Sequence, residues 1–246
     1  MIRLIALREL RSLFSMPSTW FVLAGLQFIL AWFFLARLEA FLEIQPQLAM
    51  LANPPGVTST VGAPLFNTAA LLLMMLVPVF TMRLIAEERR NQTLALLLSS
   101  PVSDTRIVLG KFAGLLSFLL LLIASLPLML GTLFLGTHPD TGLLLSNCIG
   151  LALLTASYVA LGLYVSSLTI QPVIAAIGTL AILAGLWLAD IGAPSASPLH
   201  RLSPWHHFQN FNAGLLDSSD ASYFLLFTLF FLLLAARRLH NNRIYG

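Results

Sequence analysis

The chain has 246 residues, of which 58% are hydrophobic and only 9% are Asp, Glu, Lys or Arg. Soluble domains carry about 25% charged residues, so this composition excludes an ordinary soluble domain and predicts an all-α polytopic membrane protein. The formal net charge is +3, and the basic residues flank apolar runs. We therefore expect them to set membrane topology and to contact anionic headgroups, and we expect no nucleic-acid partner.

Residues 1–15 form the first predicted element, an amphipathic helix at the membrane surface. At roughly 100° per residue, Ile2, Leu10 and Phe14 fall on one arc, whereas Arg8 and Arg11 fall on the opposite one. A simple basic anchor ahead of the first span is the alternative interpretation. The apolar run that follows ends without a small-x-small cleavage site, so we interpret it as a retained span and not as a signal peptide.

Six apolar runs approach the length of about 20 residues that a membrane-crossing helix needs. They lie at residues 20–36, 64–82, 111–136, 143–168, 172–189 and 223–236 within a single transmembrane domain that covers residues 1–246. Six spans place both termini on one side of the membrane. Eleven of the 13 basic residues fall on that side, and only Arg37 and Arg201 fall on the other. The positive-inside rule then predicts that both termini are cytoplasmic.

A charged connector, residues 83–110, separates the second and third predicted spans. Charged side chains cost roughly 2.5–3.5 kcal/mol each at the centre of a membrane helix, so we expect this connector outside the bilayer. Its first charged cluster after Arg83 consists of Glu87, Glu88, Arg89 and Arg90. Further along, Leu94, Leu97 and Leu98 form one stripe of a helix predicted at residues 92–100. An apolar stripe surrounded by charge predicts a docking helix for a soluble partner.

Prolines at two positions inside the predicted spans, Pro78 and Pro127, are expected to kink their helices. Small residues also recur at four-residue spacing, as at Gly110 and Gly114, and this spacing permits close approach of a second helix.

The outer segment, residues 190–222, contains a second amphipathic pattern. Ser203 and Pro204 are typical of a helix N-cap and first helical position. Beyond them, Trp205, Phe208 and Phe211 share one arc, and polar residues share the other. We expect a helix whose aromatic face lies in the outer leaflet. Two interpretations stay open, a re-entrant element that shapes an exit path and a plain interfacial anchor.

The predicted spans lack the chemistry of several functional classes. No ionisable residue lies near the middle of any predicted span, which argues against a proton- or ion-coupled carrier. We interpret the polar side chains within the spans, such as Asn67, Asn147 and Ser157, as groups that form hydrogen bonds between helices. Cys148 is the only cysteine, so neither a disulfide framework nor a cysteine-based metal site is expected.

Catalytic and metal sites are not expected either. The pair Gly110-Lys111 resembles the end of a phosphate-binding loop, but Thr105 stands where such a loop needs its first glycine. The chain therefore should not bind or hydrolyse ATP, and we expect no enzymatic activity of its own. His206 and His207 are adjacent, and adjacent helical side chains point about 100° apart, which disfavours chelation of one metal ion.

The charged connector resembles the coupling region of ABC-2-type permeases. That region often reads E-x-R-x-G-T-L-E-x-L-L-x-x-P-V-S, followed after a short gap by I-x-x-G-K. The matching residues here are Glu88, Arg90, Thr93, Leu94, Leu97, Leu98, Pro101, Val102, Ser103, Ile107, Gly110 and Lys111. Two positions depart from the pattern, because Gln92 replaces the usual glycine and Ala95 the usual acidic residue.

The resemblance covers essentially the whole chain and implies a function. It implies a six-helix permease subunit of an ABC transporter that pairs with a second permease copy or a sister chain. Two separate ATPase subunits would bind ATP and Mg²⁺, contact the connector from Glu87 to Pro101 and drive export. The segment after Ser203-Pro204 is similar to permeases of the gliding-motility and nitrous-oxide-reductase-maturation branch. The alternative is a non-transporting mechanotransmitter whose ATPase cycle acts on an extracytoplasmic partner.

Overall fold

A computed structural model of the chain describes residues 2–48, 56–92, 103–135, 140–192 and 202–245. Within these ranges the structure is helical and contains no strand, which confirms the all-α fold. The helices are α1 (Ile2–Ser15), α2 (Pro17–Leu48), α3 (Ala63–Met82), α4 (Asp104–Ile123), α5 (Ser125–Gly131), α6 (Thr141–Leu168), α7 (Pro172–Gly192), α8 (Pro204–Asn212) and α9 (Ser218–Tyr245). Two π-helical turns, Thr58–Gly62 and Arg83–Glu87, flank α3, and a helical turn, Glu88–Arg90, follows the second.

Six helical stretches within the described ranges are long and apolar enough to cross a membrane. They are Pro17–Gln47, Thr58–Arg90, Asp104–Gly131, Thr141–Leu168, Pro172–Gly192 and Ser218–Asn241. Several are longer than the predicted spans, and the second has 33 residues. A helix of that length reaches about 50 Å, which exceeds the hydrocarbon thickness of about 30 Å. The stretch can therefore extend beyond the apolar layer, and its charged residues all lie at one end, Arg83–Arg90.

The prolines and glycines of residues 37–62 predict an outer loop between the first two spans, but part of this segment is helical, since α2 continues to Leu48. Arg37 stands on this continuation of the helix, and its guanidinium lies 4.9 Å from the centre of the Phe33 ring. Pro46 stands in the last turn of α2. Because Pro46 lacks an N–H group, at most one backbone hydrogen bond of that last turn is lost, and the preceding turns of α2 stay intact.

Helix α6 occupies the centre of the bundle and packs against α3, α4, α7, α8 and α9. Its glycines allow two of these close contacts. A Cβ atom at Gly162 would lie 2.8 Å from Thr81 Cβ of α3, and one at Gly150 would lie 2.9 Å from Phe211 Cγ of α8. Both distances are below the usual contact limit, so α6 can be central because it carries no side chain at these positions.

The third span is interrupted close to its proline. Helix α4 ends at Ile123, and α5 begins at Ser125, two residues before Pro127. Pro127 has no N–H for the carbonyl one turn earlier, which interrupts the helix. Ser125 Oγ donates to the Leu122 carbonyl oxygen at 2.6 Å and so satisfies part of the broken turn. Pro78, by contrast, lies inside the continuous helix α3.

Candidate functional site at the connector end of the bundle

A buried ion triad joins three helical elements near the ends of the connector. Lys111 Nζ lies 2.8 Å from Glu9 Oε1 and 2.6 Å from Glu88 Oε1. The lysine side chain is 2% exposed, whereas those of Glu9 and Glu88 are 19% and 23% exposed. Two carboxylates balance the buried ammonium, which would otherwise be strongly unfavourable in an apolar environment. The triad therefore ties α1, the end of the second span and α4 to one another.

Two glycines bring α1 close enough for this contact. A Cβ atom at Gly110 would lie 2.7 Å from Ile5 Cβ, and one at Gly114 would lie 2.9 Å from the Ala6 carbonyl oxygen. The second clash is with backbone, which cannot rotate away as a side chain can. The four-residue spacing thus has the packing role expected of it. It lets α1 lie directly on the face of α4 beside Lys111.

The second span reaches the triad through a π-helical turn at Arg83–Glu87. Ser166 Oγ of α6 accepts hydrogen bonds from the backbone N–H groups of Ala86 at 3.0 Å and Ile85 at 3.3 Å, and it donates to the Met82 carbonyl oxygen at 3.2 Å. A π turn displaces the normal hydrogen-bond ladder, and here a serine from another helix bonds the displaced groups. This contact holds the turn that precedes Glu88 against α6.

The predicted docking residues divide into two groups in the structure. Glu88 points inward to Lys111, whereas Glu87 and Arg89 are half-buried and Arg90 is exposed. The predicted residues Thr93, Leu94, Leu97, Leu98 and Pro101 lie outside the described residues. Gln92 has a φ of +57°, in the left-handed region that favours glycine. The sharp turn implied by the usual family glycine is therefore present although glutamine occupies the position.

Lys111 was expected at the cytoplasmic start of the third span, but the helix already begins at Asp104. Ser103 has extended backbone angles at the N-cap position and Asp104 stands in the first turn, both of which favour a helix start there. Lys111 thus lies two turns inside α4 and is buried. The sequence placed this cation at the end of a span, and the structure buries it in the bundle.

The outer helix α8 forms where the N-cap pattern predicted it, at Pro204–Asn212. The prediction that the aromatic residues of α8 face lipid is wrong for two of the three, because Phe208 is 0% and Phe211 is 1% exposed. They pack into the bundle, where Gly150 of α6 leaves space for Phe211. Trp205 is half-buried, with its ring 6.2 Å from that of Trp187 on α7. Helix α8 therefore covers the bundle rather than facing lipid with its aromatic side.

Hydrogen bonds attach α8 to α3 and α6. Gln209 Nε2 donates to Asn67 Oδ1 of α3 at 2.9 Å, and Ser146 Oγ of α6 donates to the Phe211 carbonyl oxygen at 2.7 Å. Asn147, oriented so that its amide nitrogen faces the carbonyl groups around it, donates to the same oxygen at 3.1 Å. Asn67 and Asn147 are thus hydrogen bonders between helices, as predicted, and Ser157 Oγ lies 3.4 Å from Thr228 Oγ1 of α9.

The attachment of α8 to α9 depends on one buried carboxylate. Asp220 Oδ1 lies 2.6 Å from His207 Nδ1, and Asp220 Oδ2 accepts a hydrogen bond from Asn210 Nδ2 at 2.9 Å. The His207 ring stacks on Tyr223 with centroids 3.9 Å apart. Nearby, the Ser219 backbone N–H bonds the exposed Asp217 carboxylate and holds the pKa of that group below its ordinary value. Among the described residues, no group of three or more His, Cys, Asp or Glu side chains could hold a metal ion.

The comparison with known protein families decides the assignment. The family model described as ABC-2 family transporter protein matches residues 5–239. The chain belongs to the ABC-2 transporter family. A comparison with curated proteins gave no match. Membership in the ABC-2 family, together with the six apolar helices, makes the chain a membrane-embedded permease-type subunit, and the family implies an ATPase partner.

Three contacts of this region were not predicted from the sequence. Glu9 was not singled out within the predicted amphipathic helix, and Ser166 is one of several serines in the spans. Lys111 carried one signal, because it is the only lysine in the chain and is followed by a long uncharged run. A single cation at such a boundary could have indicated a structural ion pair, but its partners are 102 and 23 residues away.

Proposed function

We propose that the chain is the membrane permease subunit of an ABC exporter and that it couples ATP hydrolysis by separate ATPase subunits to substrate translocation. The observation that carries this proposal is the buried triad of Glu9, Glu88 and Lys111. It joins the two sides of the connector to each other and to α1. A force applied to the connector therefore acts on three helices at once.

The coupling helix, residues 92–100, is the proposed contact with the ATPase. Its stripe of Leu94, Leu97 and Leu98 would enter a groove on the ATPase, and each leucine contributes roughly 1.5–3 kcal/mol on full burial. Arg90, exposed beside the turn at Gln92, and Glu87 and Arg89 would contact the rim of that groove. Thr93 and Pro101 would shape the two ends of the helix. The ATPase binds ATP and Mg²⁺, and this chain binds neither.

Motion would pass from the coupling helix into the bundle along two routes. One runs through Glu88 and Lys111 to α4 and α1. The other runs through the π turn to Ser166 and so to the central helix α6. Since α6 contacts α8 and α9 as well, displacement at the cytoplasmic end can reach the outer helix. Two permease copies, or this chain and a sister chain, would form the translocation path between them.

The topology that this function requires has both termini and the connector in the cytoplasm of a bacterium. The eleven basic residues on that side support it. Single cysteines at Gln92 and Ser197, in a Cys148→Ser background, test it by labelling with a membrane-impermeant maleimide. We expect opposite sides for the two positions, and labelling from the same side would contradict the topology.

The mechanotransmitter remains the second candidate because of one feature of the outer surface. Leu215 and Leu216, in the turn between α8 and α9, are 61% and 62% exposed. Such a pair beyond the spans could contact an extracytoplasmic protein. Transport by purified permease and ATPase alone would favour the exporter. ATP hydrolysis that requires an extracytoplasmic protein and moves no cargo would favour the mechanotransmitter.

The direct test of the proposed function is assembly. The tagged full-length chain is co-expressed with a candidate ABC ATPase subunit, purified in detergent and returned to liposomes. We expect a stable complex whose ATP hydrolysis depends on the permease. The proposal would be contradicted if the ATPase did not bind the permease and hydrolysed ATP at the same rate with and without it.

A further inference from the structure

A groove of about 680 Å³ opens between the start of α4 and the end of α9. One part of its lining is apolar and consists of Leu233 and Ala236 of α9. The other part is polar and consists of Ser103, Asp104, Thr105, Arg237, His240 and Asn241. The volume lies in the range of roughly 300–1,000 Å³ that small-molecule sites occupy. A ligand that fills the groove must therefore have both an apolar and a polar part.

The apolar part of the groove continues along α9 as an exposed strip. Leu226, Phe230 and Leu233 are 68%, 57% and 61% exposed, and their spacing places them on the same arc of the helix as Arg237. The strip rises about 17 Å from Leu226 to Arg237, which is close to half of the hydrocarbon thickness of about 30 Å. It lies within Ser218–Asn241, a stretch apolar enough to cross a membrane. The acyl chain of a lipid in one leaflet matches this strip in length and in chemistry.

The polar part of the groove lies where the uncharged run of α9 ends. Residues 221–236 contain no Asp, Glu, Lys or Arg, and Arg237 and Arg238 follow directly. Charged side chains are costly in hydrocarbon and collect at its edge, where the lipid headgroups lie. The polar part of the groove is therefore at headgroup level, on the side of the membrane that carries the connector.

The charge of the groove favours an anionic headgroup. The Asp104 side chain is 9% exposed and lies 3.0 Å from His240 Nδ1, so an incoming ligand meets mainly the exposed Arg237. Among the described residues, no carboxylate forms an ion pair with Arg237. The exposed residues Ser103 and Thr105 add two hydroxyl groups that can donate to phosphate oxygens. Arginine pairs strongly with phosphate, and basic pockets between membrane helices bind acidic lipid headgroups.

We infer that this groove binds one anionic phospholipid of the leaflet on the connector side. Its phosphate lies at Arg237, and one acyl chain follows Leu233, Phe230 and Leu226. A zwitterionic lipid has the same phosphate but also carries a cationic group, which Arg237 repels. The bound lipid contacts α4 and α9 together and so reinforces the contact that Asp104 and His240 make between these helices. The inference needs a membrane-embedded chain and is independent of the ATPase contact in the proposed function.

Photolabelling of the full-length chain in liposomes tests the inference. The probe is phosphatidylglycerol with a diazirine in the upper part of one acyl chain, at low mole fraction in phosphatidylcholine vesicles. We expect it to label α9 between Phe230 and Ala236, as read by mass spectrometry of chymotryptic peptides, and the same diazirine in phosphatidylcholine to label this segment at least about fivefold less. Equal labelling by the two probes would overturn the inference, since it would show only the exchangeable lipid that surrounds any span. No labelling of the segment by either probe would also overturn it and would indicate that a second copy of the chain covers the groove.

Two arginine variants separate a direct contact from general attraction to an anionic surface. Arg237→Gln removes the charge within the groove, and Arg238→Gln removes a neighbouring exposed charge that does not line it. The labelling is done at about 1 M salt, where the Debye length is ~3 Å, so that attraction over longer distances is screened more than a contact pair. We expect Arg237→Gln to lose the preference for phosphatidylglycerol and Arg238→Gln to keep it. The same preference in both variants would overturn the inference, as would its loss from both. Both side chains are exposed, so both variants should fold, which the unfolding midpoint in detergent checks.

Discussion

Lys111 and Glu88 form a buried ion pair, with 2.6 Å between Nζ and Oε1, that holds the two sides of the connector together at the base of the bundle. The residues stand on different helical elements, and the coupling helix lies between them in the sequence. Because the same ammonium also binds Glu9 at 2.8 Å, α1 belongs to this unit and is more than a membrane anchor. Under the proposed function, this junction lies beside the segment that the ATPase contacts.

Removal of the lysine should destabilise the protein. Lys111→Met keeps much of the side-chain volume but leaves Glu9 and Glu88 without their cation. Loss of one partner of a fully buried pair costs about 3–5 kcal/mol, and the cost here should be smaller because both carboxylates are partly exposed. Thermal unfolding in detergent measures the loss. Arg90→Met, at an exposed position, should leave the midpoint within about 1 °C.

The same lysine offers a direct probe of the closed junction. Lys111 is the only lysine, so its ε-amine is the single side-chain amine that an acylating reagent can modify. With a side chain that is 2% exposed and paired to two carboxylates, it should react far more slowly than free lysine. Mass spectrometry of the tryptic and chymotryptic peptides measures the rate. Modification as fast as that of a free amine would show that the junction is open in the resting protein.

Ser166 should be required for the π turn of the second span. Ser166→Ala removes the acceptor of the Ile85 and Ala86 N–H groups and leaves them buried without that bond. An unsatisfied buried donor costs about 1–3 kcal/mol, so we expect a lower unfolding midpoint and reduced coupling of ATP hydrolysis. Ser117→Ala is the control, because Ser117 is exposed and bonds only the Ala113 carbonyl of its own helix. Similar behaviour of the two variants would contradict the role of Ser166.

Gly150 should determine the position of the outer helix. In Gly150→Ala the new methyl group would meet the Phe211 side chain, and overpacking of this kind costs about 1–3 kcal/mol. We expect α8 to move away from α6 and a cysteine at Phe208 to become reactive toward maleimide. Gly185→Ala is the matched control, since a Cβ there meets nothing within 4 Å in the described structure. An unreactive Phe208→Cys in the Gly150→Ala background would contradict this packing.

Much of the fold follows from patterns along the chain. Apolar length predicts the six spans, the Ser203-Pro204 pair predicts the start of α8, and Pro127 predicts the break between α4 and α5. The ends of the helices do not follow as well from the sequence, because a charged residue does not by itself end a helix. Arg37 stands inside α2 and Asp104 begins α4, so both helices extend into regions that were predicted as loops.

The contacts between helices could not be predicted in the same way. Phe208 and Phe211 have the spacing of an apolar face, but spacing does not tell whether lipid or another helix covers that face. Their burial depends on Gly150, which is about 60 residues away in the sequence. Ser166 could not be singled out either, because its role exists only where the π turn of another helix exposes two N–H groups to it. The leucine stripe of the coupling helix remains a prediction from sequence.

The substitution Leu97→Asp in the coupling helix tests the central claim most directly. The site lies outside the bilayer, so the variant should insert and fold normally, whereas a carboxylate buried in an ATPase groove costs several kcal/mol. The account predicts that the purified variant loses the ATPase and its stimulated ATP hydrolysis, while Leu216→Asp, the same change at an exposed outer leucine, keeps both. Retention of the ATPase and of full activity by Leu97→Asp would contradict the assignment of this helix as the docking site.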